Sequence, residues 1–124
     1  MDYDKKYLIW ALCYAAVGMG LGIVMAATHD HGQLVTHAHI NLVGFLLSLS
    51  YGIIHKLWLA APNPTVAKTQ FILHQAASIP LFVGLFLLYG RIVPEAQVDP
   101  VLAMASIVVL VSALLMLFMV VKAK

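Results

Sequence analysis

Charge is what this 124-residue chain has least of. Asp, Glu, Lys and Arg make up 10% of it and hydrophobic residues 63%, whereas an ordinary soluble domain carries about a quarter charged residues. Water is therefore not the solvent its surface is built for. Cysteine is nearly absent too: Cys13 stands alone in an apolar stretch. That excludes an intrachain disulfide, a thiolate metal cluster and a Cys-x-x-Cys-His attachment for covalently bound haem. Basic residues are few and dispersed, so nothing resembles the basic patch of a nucleic-acid-binding protein. Polar linkers are missing as well, which leaves no room for a separate soluble domain.

Long apolar runs fill the space instead. A hydrocarbon core takes about 20 mostly apolar residues to cross. Runs of that size predict helices at about 7–27, 34–58, 69–89 and 101–121, in one domain covering 1–124. The expected fold is all-α, an integral membrane four-helix bundle. The first run exceeds the 7 to 15 apolar residues of a secretory signal, and Met25 suits a small-residue cleavage site poorly, so it reads as a helix of the mature protein. Lys5, Lys6, Lys56, Lys68, Lys122 and Lys124 fall on one side of a four-span arrangement, and only Arg91 on the other, beside Glu95 and Asp99. The positive-inside rule then places the N- and C-termini in the cytoplasm. Short connections are expected at Thr28 to Leu34, at Ala61-Pro62-Asn63-Pro64 and at Gly90 to Pro100, with Pro94 and Pro100 ending one helix and opening the next. Pro80 is expected to kink helix 3.

Helix 1 carries Ala11, Ala15, Gly18, Gly22 and Ala26 at steps of three and four. Such a small-residue stripe admits a neighbouring backbone or a flat ligand, and plain helix packing is the favoured reading. Helix 4 has no ionisable group between Asp99 and Lys122 and reads as scaffold.

Six histidines, His29, His31, His37, His39, His55 and His74, stand out against this background. Polar groups at membrane depth are costly and mark function by default. At about 100° per residue, His37, Asn41, Gly44, Ser48, Gly52 and His55 fall within about 60° of one line, so that line should face protein. His37 and His55 lie about 27 Å apart along the axis and cannot share a site. His39 points about 200° from His37, onto an apolar face with Leu42, Leu46 and Ile53, so the two cannot grip one ion from the same helix. An imidazole on an apolar face is what an axial haem ligand needs. Gln70, His74 and Ser78 form a second polar line, expected near the inner surface and level with His55. There His55 and His74 either pair as ligands or, as favoured, simply hydrogen-bond in the headgroup region. In the Thr-His-Asp-His-Gly loop, His29 and His31 are balanced between solvation and a metal role with His37 and His39, with Asp30 available to orient a ring.

The segment His37-Ala38-His39-Ile40-Asn41-Leu42-Val43-Gly44-Phe45, continuing to Tyr51-Gly52-Ile53-Ile54-His55-Lys56-Leu57, resembles the tenth helix of haem-copper oxidase subunit I. The likeness is closest to the C-type cytochrome oxidases and their nitric-oxide-reductase relatives, and covers about a fifth of the chain. It implies that His37 corresponds to the ligand of a high-spin haem and His39 to that of a low-spin haem. The family's twelve helices form three four-helix arcs, so the resemblance further implies a homotrimer with helix 2 lining the centre. A full subunit I also carries copper ligands and a catalytic tyrosine that a four-helix chain cannot supply, so oxygen reduction is not implied and oxidoreductase activity stays open.

The expected function is that of a membrane b-type haem protein for electron transfer or diatomic gas binding, meeting a quinol or a respiratory-chain redox partner. Two rivals stand beside it. One is a copper- or zinc-handling protein using His29, His31, His37 and His39, since imidazole suits both ions. The other is an accessory or assembly subunit of a respiratory complex, whose histidines only bridge helices.

Overall fold

A computed structural model describes residues 2–124, and no strand occurs among the described residues. Four helices form: α1 Tyr3–Thr28, α2 Leu34–Leu57, α3 Pro64–Tyr89 and α4 Glu95–Lys122, each long and apolar enough to cross a membrane. The chain is an all-helical multi-pass membrane protein. Large apolar side chains point outward around the bundle, Ile23, Met104 and Val121 each about two-thirds or more exposed. Such a surface suits lipid rather than water.

Three helices begin earlier than the apolar runs predict, because polar first turns are still helical. Helix α3 starts at Pro64 rather than near residue 69. The Asn63 side chain accepts hydrogen bonds from the backbone N–H groups of Thr65 (2.9 Å) and Val66 (3.2 Å), while Pro64 occupies the first helical position. An Asn cap followed by Pro satisfies donors that a helix start otherwise leaves open. Helix α4 starts at Glu95, after Pro94, and Pro100 lies inside it rather than at its beginning. Proline so near the start deprives a single carbonyl of its partner, and Glu95 in the first turn suits the helix dipole. Helix α3 runs through Pro80 without a break. At the far end of α1, His29 adopts a left-handed conformation (φ 56°, ψ 22°), a backbone state that terminates helices and that His visits more readily than most non-glycine residues.

Helix α2 is not a uniform α-helix. Residues Ile40–Leu46 form a π segment, with α-helical Leu34–His39 before it and Leu47–Leu57 after it. Such wide turns are rare and favour functional sites. Here the wide turn begins at the residue after His39 and contains Asn41, whose side-chain amide donates to the His37 carbonyl at 2.9 Å. That bond supplies a local donor where the regular i to i−4 ladder is disturbed.

Two tight helix pairs, α1 with α2 and α3 with α4, make up the bundle. Side-chain bridges join the pairs across the interior: Tyr7 Oη donates to Gln70, and Tyr14 Oη donates to Gln75 Oε1 at 2.6 Å. The buried side chains form two clusters. One, at the end carrying both termini, holds Tyr7, Tyr51, Ala67 and Met116. The other, toward the opposite end, holds Tyr14, Ile40, Leu81, Phe82 and Ala105. Gly44 lets α2 come close to both α1 and α3, since a Cβ there would lie 2.8 Å from Tyr14 Cγ and 3.1 Å from Phe82 Cε2.

Candidate functional site

The histidines of α2 are positioned by backbone carbonyls. His37 Nδ1 lies 2.8 Å from the Gly18 carbonyl oxygen of α1, and His39 Nδ1 lies 2.9 Å from the Val35 carbonyl oxygen one turn back. A carbonyl can only accept, so in both rings Nδ1 carries the proton and Nε2 bears the lone pair. Among the described residues neither Nε2 has a hydrogen-bond partner. A ring held at Nδ1 by a carbonyl, with Nε2 directed away, is the usual arrangement of an imidazole that ligates a metal, because the second bond fixes both tautomer and orientation.

The small-residue stripe of α1 accommodates His37 and Asn41. A Cβ at Gly22 would come 2.9 Å from His37 Cε1, and one at Gly18 within 2.6–2.8 Å of the Asn41 amide. The stripe therefore serves helix packing, as favoured, and the occupants of its groove are the side chains of α2. By contrast, a Cβ at Gly20 would meet nothing within 4 Å.

Every member of the α2 polar line lies against protein. His37, Asn41, Gly52 and His55 face α1, Ser48 meets His74 of α3, and Gly44 is wedged between Tyr14 of α1 and Phe82 of α3. His39 lies on the other side of the helix. It is half-buried, and Leu42 and Leu46 near it are 58% and 50% exposed. No helix of this chain covers those two leucines.

With α3 beginning at Pro64, His74 sits about 15 Å along the helix from its start. It is fully buried, as are Gln70, Ser78, Ser48 and Ser112. His74 Nε2 lies 3.2 Å from Ser48 Oγ. Gln70 receives the Tyr7 hydroxyl, donates to Ser112 Oγ at 3.0 Å, and its carbonyl accepts from Ser112 Oγ at 3.1 Å. His55 and His74 have different partners: each ring packs near Tyr7, with centroids 5.9 and 6.2 Å away, and Tyr51 stands edge-on to His74 at 5.2 Å. His74 hydrogen-bonds to Ser48 within the bundle, and His55 Nε2 has no hydrogen-bond partner among the described residues.

Sequence reasoning did not anticipate the tyrosines. Tyr7, Tyr14 and Tyr51 supply the hydroxyls and ring faces of this interior. The signal was present, since a phenol in the middle of a span needs a partner and Gln70 and Gln75 are the amides that can provide one.

The loop histidines lie as the solvated alternative has them. His29 ends α1, and both it and His31 are exposed. Asp30 Oδ1 accepts from the Gly32 N–H at 2.9 Å, which makes it a turn residue that shapes the loop. Gln33 then ties the start of α2 to α3 through a 2.9 Å bond from Nε2 to the Phe86 carbonyl. Among the described residues no three His, Cys, Asp or Glu side chains converge as a metal centre. Among the described residues, His29, His31, His37 and His39 thus do not form one site within a single chain.

Fold and site together define a class: a four-helix membrane protein with two oriented imidazoles near one end of α2 and a buried polar core toward the other. No protein-family model matches the chain, and no curated protein or solved structure matches it.

Proposed function

We propose that this chain is the protomer of an oligomeric b-type haem protein of a bacterial cytoplasmic membrane, used for electron transfer or diatomic gas binding. The reading rests on one observation above all. His37 and His39 both present Nε2 as the free nitrogen, each with Nδ1 engaged by a carbonyl.

The donor set fits haem better than a bare ion. Two neutral nitrogens on opposite sides of a helix cannot close around one ion, but each can serve an axial position of its own. His39 has the apolar surroundings a porphyrin favours, with Leu42 and Leu46 close by on an uncovered face. A group held there would need its other wall from a second copy of the chain. Three copies around α2 would agree with the arcs of the haem-copper oxidase resemblance, and both termini would then lie in the cytoplasm.

In this reading the protein's own residues orient and shield. Gly18 fixes the tautomer of His37, Val35 that of His39, and Asn41 steadies the carbonyl of His37. The haem, when bound, supplies reversible iron chemistry: electron transfer if both axial positions are histidine, gas binding if one is open. A quinol or a respiratory-chain protein would exchange electrons with it from the bilayer. The test is the haem-to-protein ratio of His37→Ala and His39→Ala beside the wild type. Loss of haem in either variant, with the helical content retained, supports the reading. Full haem retention in both contradicts it.

A further inference from the structure

The interior between His55 and His74 holds more polar atoms than it satisfies. His74 Nδ1, Tyr51 Oη, His55 Nε2 and Ser78 Oγ are all buried and lack a hydrogen-bond partner among the described residues. Buried polar groups in proteins nearly always have partners, and where protein supplies none, ordered water usually does. One orphan would be unremarkable. Three of these groups, Tyr51 and His55 of α2 and His74 of α3, surround the Tyr7 ring of α1, and the rings form a connected series: Tyr3 to His55 at 5.5 Å, His55 to Tyr7 at 5.9 Å, Tyr7 to Tyr51 at 5.4 Å, Tyr51 to His74 at 5.2 Å.

The series also has a mouth. At the end carrying both termini, a cleft of about 310 Å³ is lined by Asp2, Tyr3, Asp4, His55, Lys56 and Pro62. It is polar, with Lys56 Nζ 3.9 Å from Asp4 Oδ2 at its edge. His55 belongs both to this cleft and to the buried series. Beyond His74 the series stops: its Nε2 meets Ser48, and α4 carries no titratable side chain between Asp99 and Lys122. The titratable groups facing His74 are Tyr7 from α1 and Tyr51 from α2.

We propose that this interior is a water-filled proton route with one open end, leading from the Asp4–Lys56 mouth through His55 to a proton-holding site at His74. A proton from mouth water binds one nitrogen of His55 while the other nitrogen releases its proton inward. Water bridging the Tyr51 hydroxyl passes it to His74 Nδ1. Each imidazole and each water takes up one proton and gives up one, so no other reactant is consumed. The route ends inside the membrane and serves as a store, not a pore. It stands whether or not the chain binds haem.

The test uses the full chain with ¹⁵N-labelled histidine, reconstituted in lipid, and records magnetisation transfer from water to each imidazole. His29 and His31 in the exposed loop are the positive controls. The expected result is water contact at His55 and His74, with the exchange at His74 slowed at least tenfold in His55→Phe and slowed in Tyr51→Phe. The ring resonances of His37 and His39 report whether each variant keeps its fold. A His74 ring without water transfer in the wild type, while the loop histidines show it, overturns the proposal without any variant. So does exchange at His74 that neither correctly folded variant alters.

Discussion

The two histidine regions of this molecule solve the problem of a polar ring in an apolar bundle in opposite ways. On the half of α2 away from both chain ends, the outer region, His37 and His39 each use one nitrogen on a backbone carbonyl and leave the other without a hydrogen bond, His37 against α1 and His39 beside lightly covered apolar surface. Toward the end carrying both termini, the inner region, His74 is fully enclosed and its neighbours are side chains: Ser48, Tyr7 and Tyr51. A backbone carbonyl cannot be mutated away or rotate, so the outer rings are oriented by the fold itself. A side-chain network can rearrange and hydrate, so the inner rings are held in a medium that can exchange protons. The first arrangement suits a fixed ligand and the second a mobile proton.

That contrast is broken most severely by prying the bundle apart where its halves meet. Gly44→Leu drives a side chain into Tyr14 and Phe82, where even a Cβ has under 3 Å. Overpacking of this kind costs about 1–3 kcal/mol for added methylenes in a tight core, and a whole leucine belongs at the upper end. The expected outcome is a large fall in thermal unfolding temperature in detergent, followed by circular dichroism, with both regions disturbed together.

A change confined to the inner region is next in size. Gln70→Leu removes the amide that receives Tyr7 and binds Ser112, leaving two buried hydroxyls with fewer partners. Interhelical hydrogen bonds in membranes are worth roughly 0.6–2 kcal/mol each, which sets the expected loss of stability at about 1–2 kcal/mol. The same unfolding measurement reads it, and the outer region should be untouched: any haem bound by the wild type stays bound.

Gly22→Ala does the reverse. Its Cβ would reach 2.9 Å from His37 Cε1, so the ring must turn away from the Gly18 carbonyl. The expected stability change is small, within about 1 kcal/mol by comparison with single methyl additions, while the haem-to-protein ratio falls several-fold. Gly20→Ala, two residues earlier on α1 and open to space, is the matched control. It should leave both readouts within experimental scatter, surface changes being worth about ±0.5 kcal/mol.

Much of this was legible in the sequence, and the parts that were not have common physical reasons. Run length and charge placement fix four spans, because lipid tolerates neither exposed backbone nor unpaired charge. Periodicity places His37 and Asn41 on one face and His39 on the other, and the structure sets the first two against Gly18 and Gly22. Hydropathy alone misplaces the starts of α3 and α4, since Thr65, Lys68 and Glu95 are polar yet helical. Uniform periodicity also passes over the π segment at Ile40–Leu46, which contains Asn41 and Gly44. The tyrosine partners were hidden because Tyr counts as an aromatic in any apolar run, and its hydroxyl matters only once Gln70 and Gln75 are opposite it.

The central claim is that the oriented Nε2 atoms of His37 and His39 hold haem. Its most direct test is the visible absorption spectrum of the chain purified in mild detergent, oxidised and dithionite-reduced, with haem quantified per protein. The account predicts a sharp Soret band, and narrow reduced α and β bands where both axial ligands are histidine. A colourless protein, even after expression with added haem, would contradict it. Copper or zinc held between chains, or a purely structural role for the outer histidines, would then have to take its place.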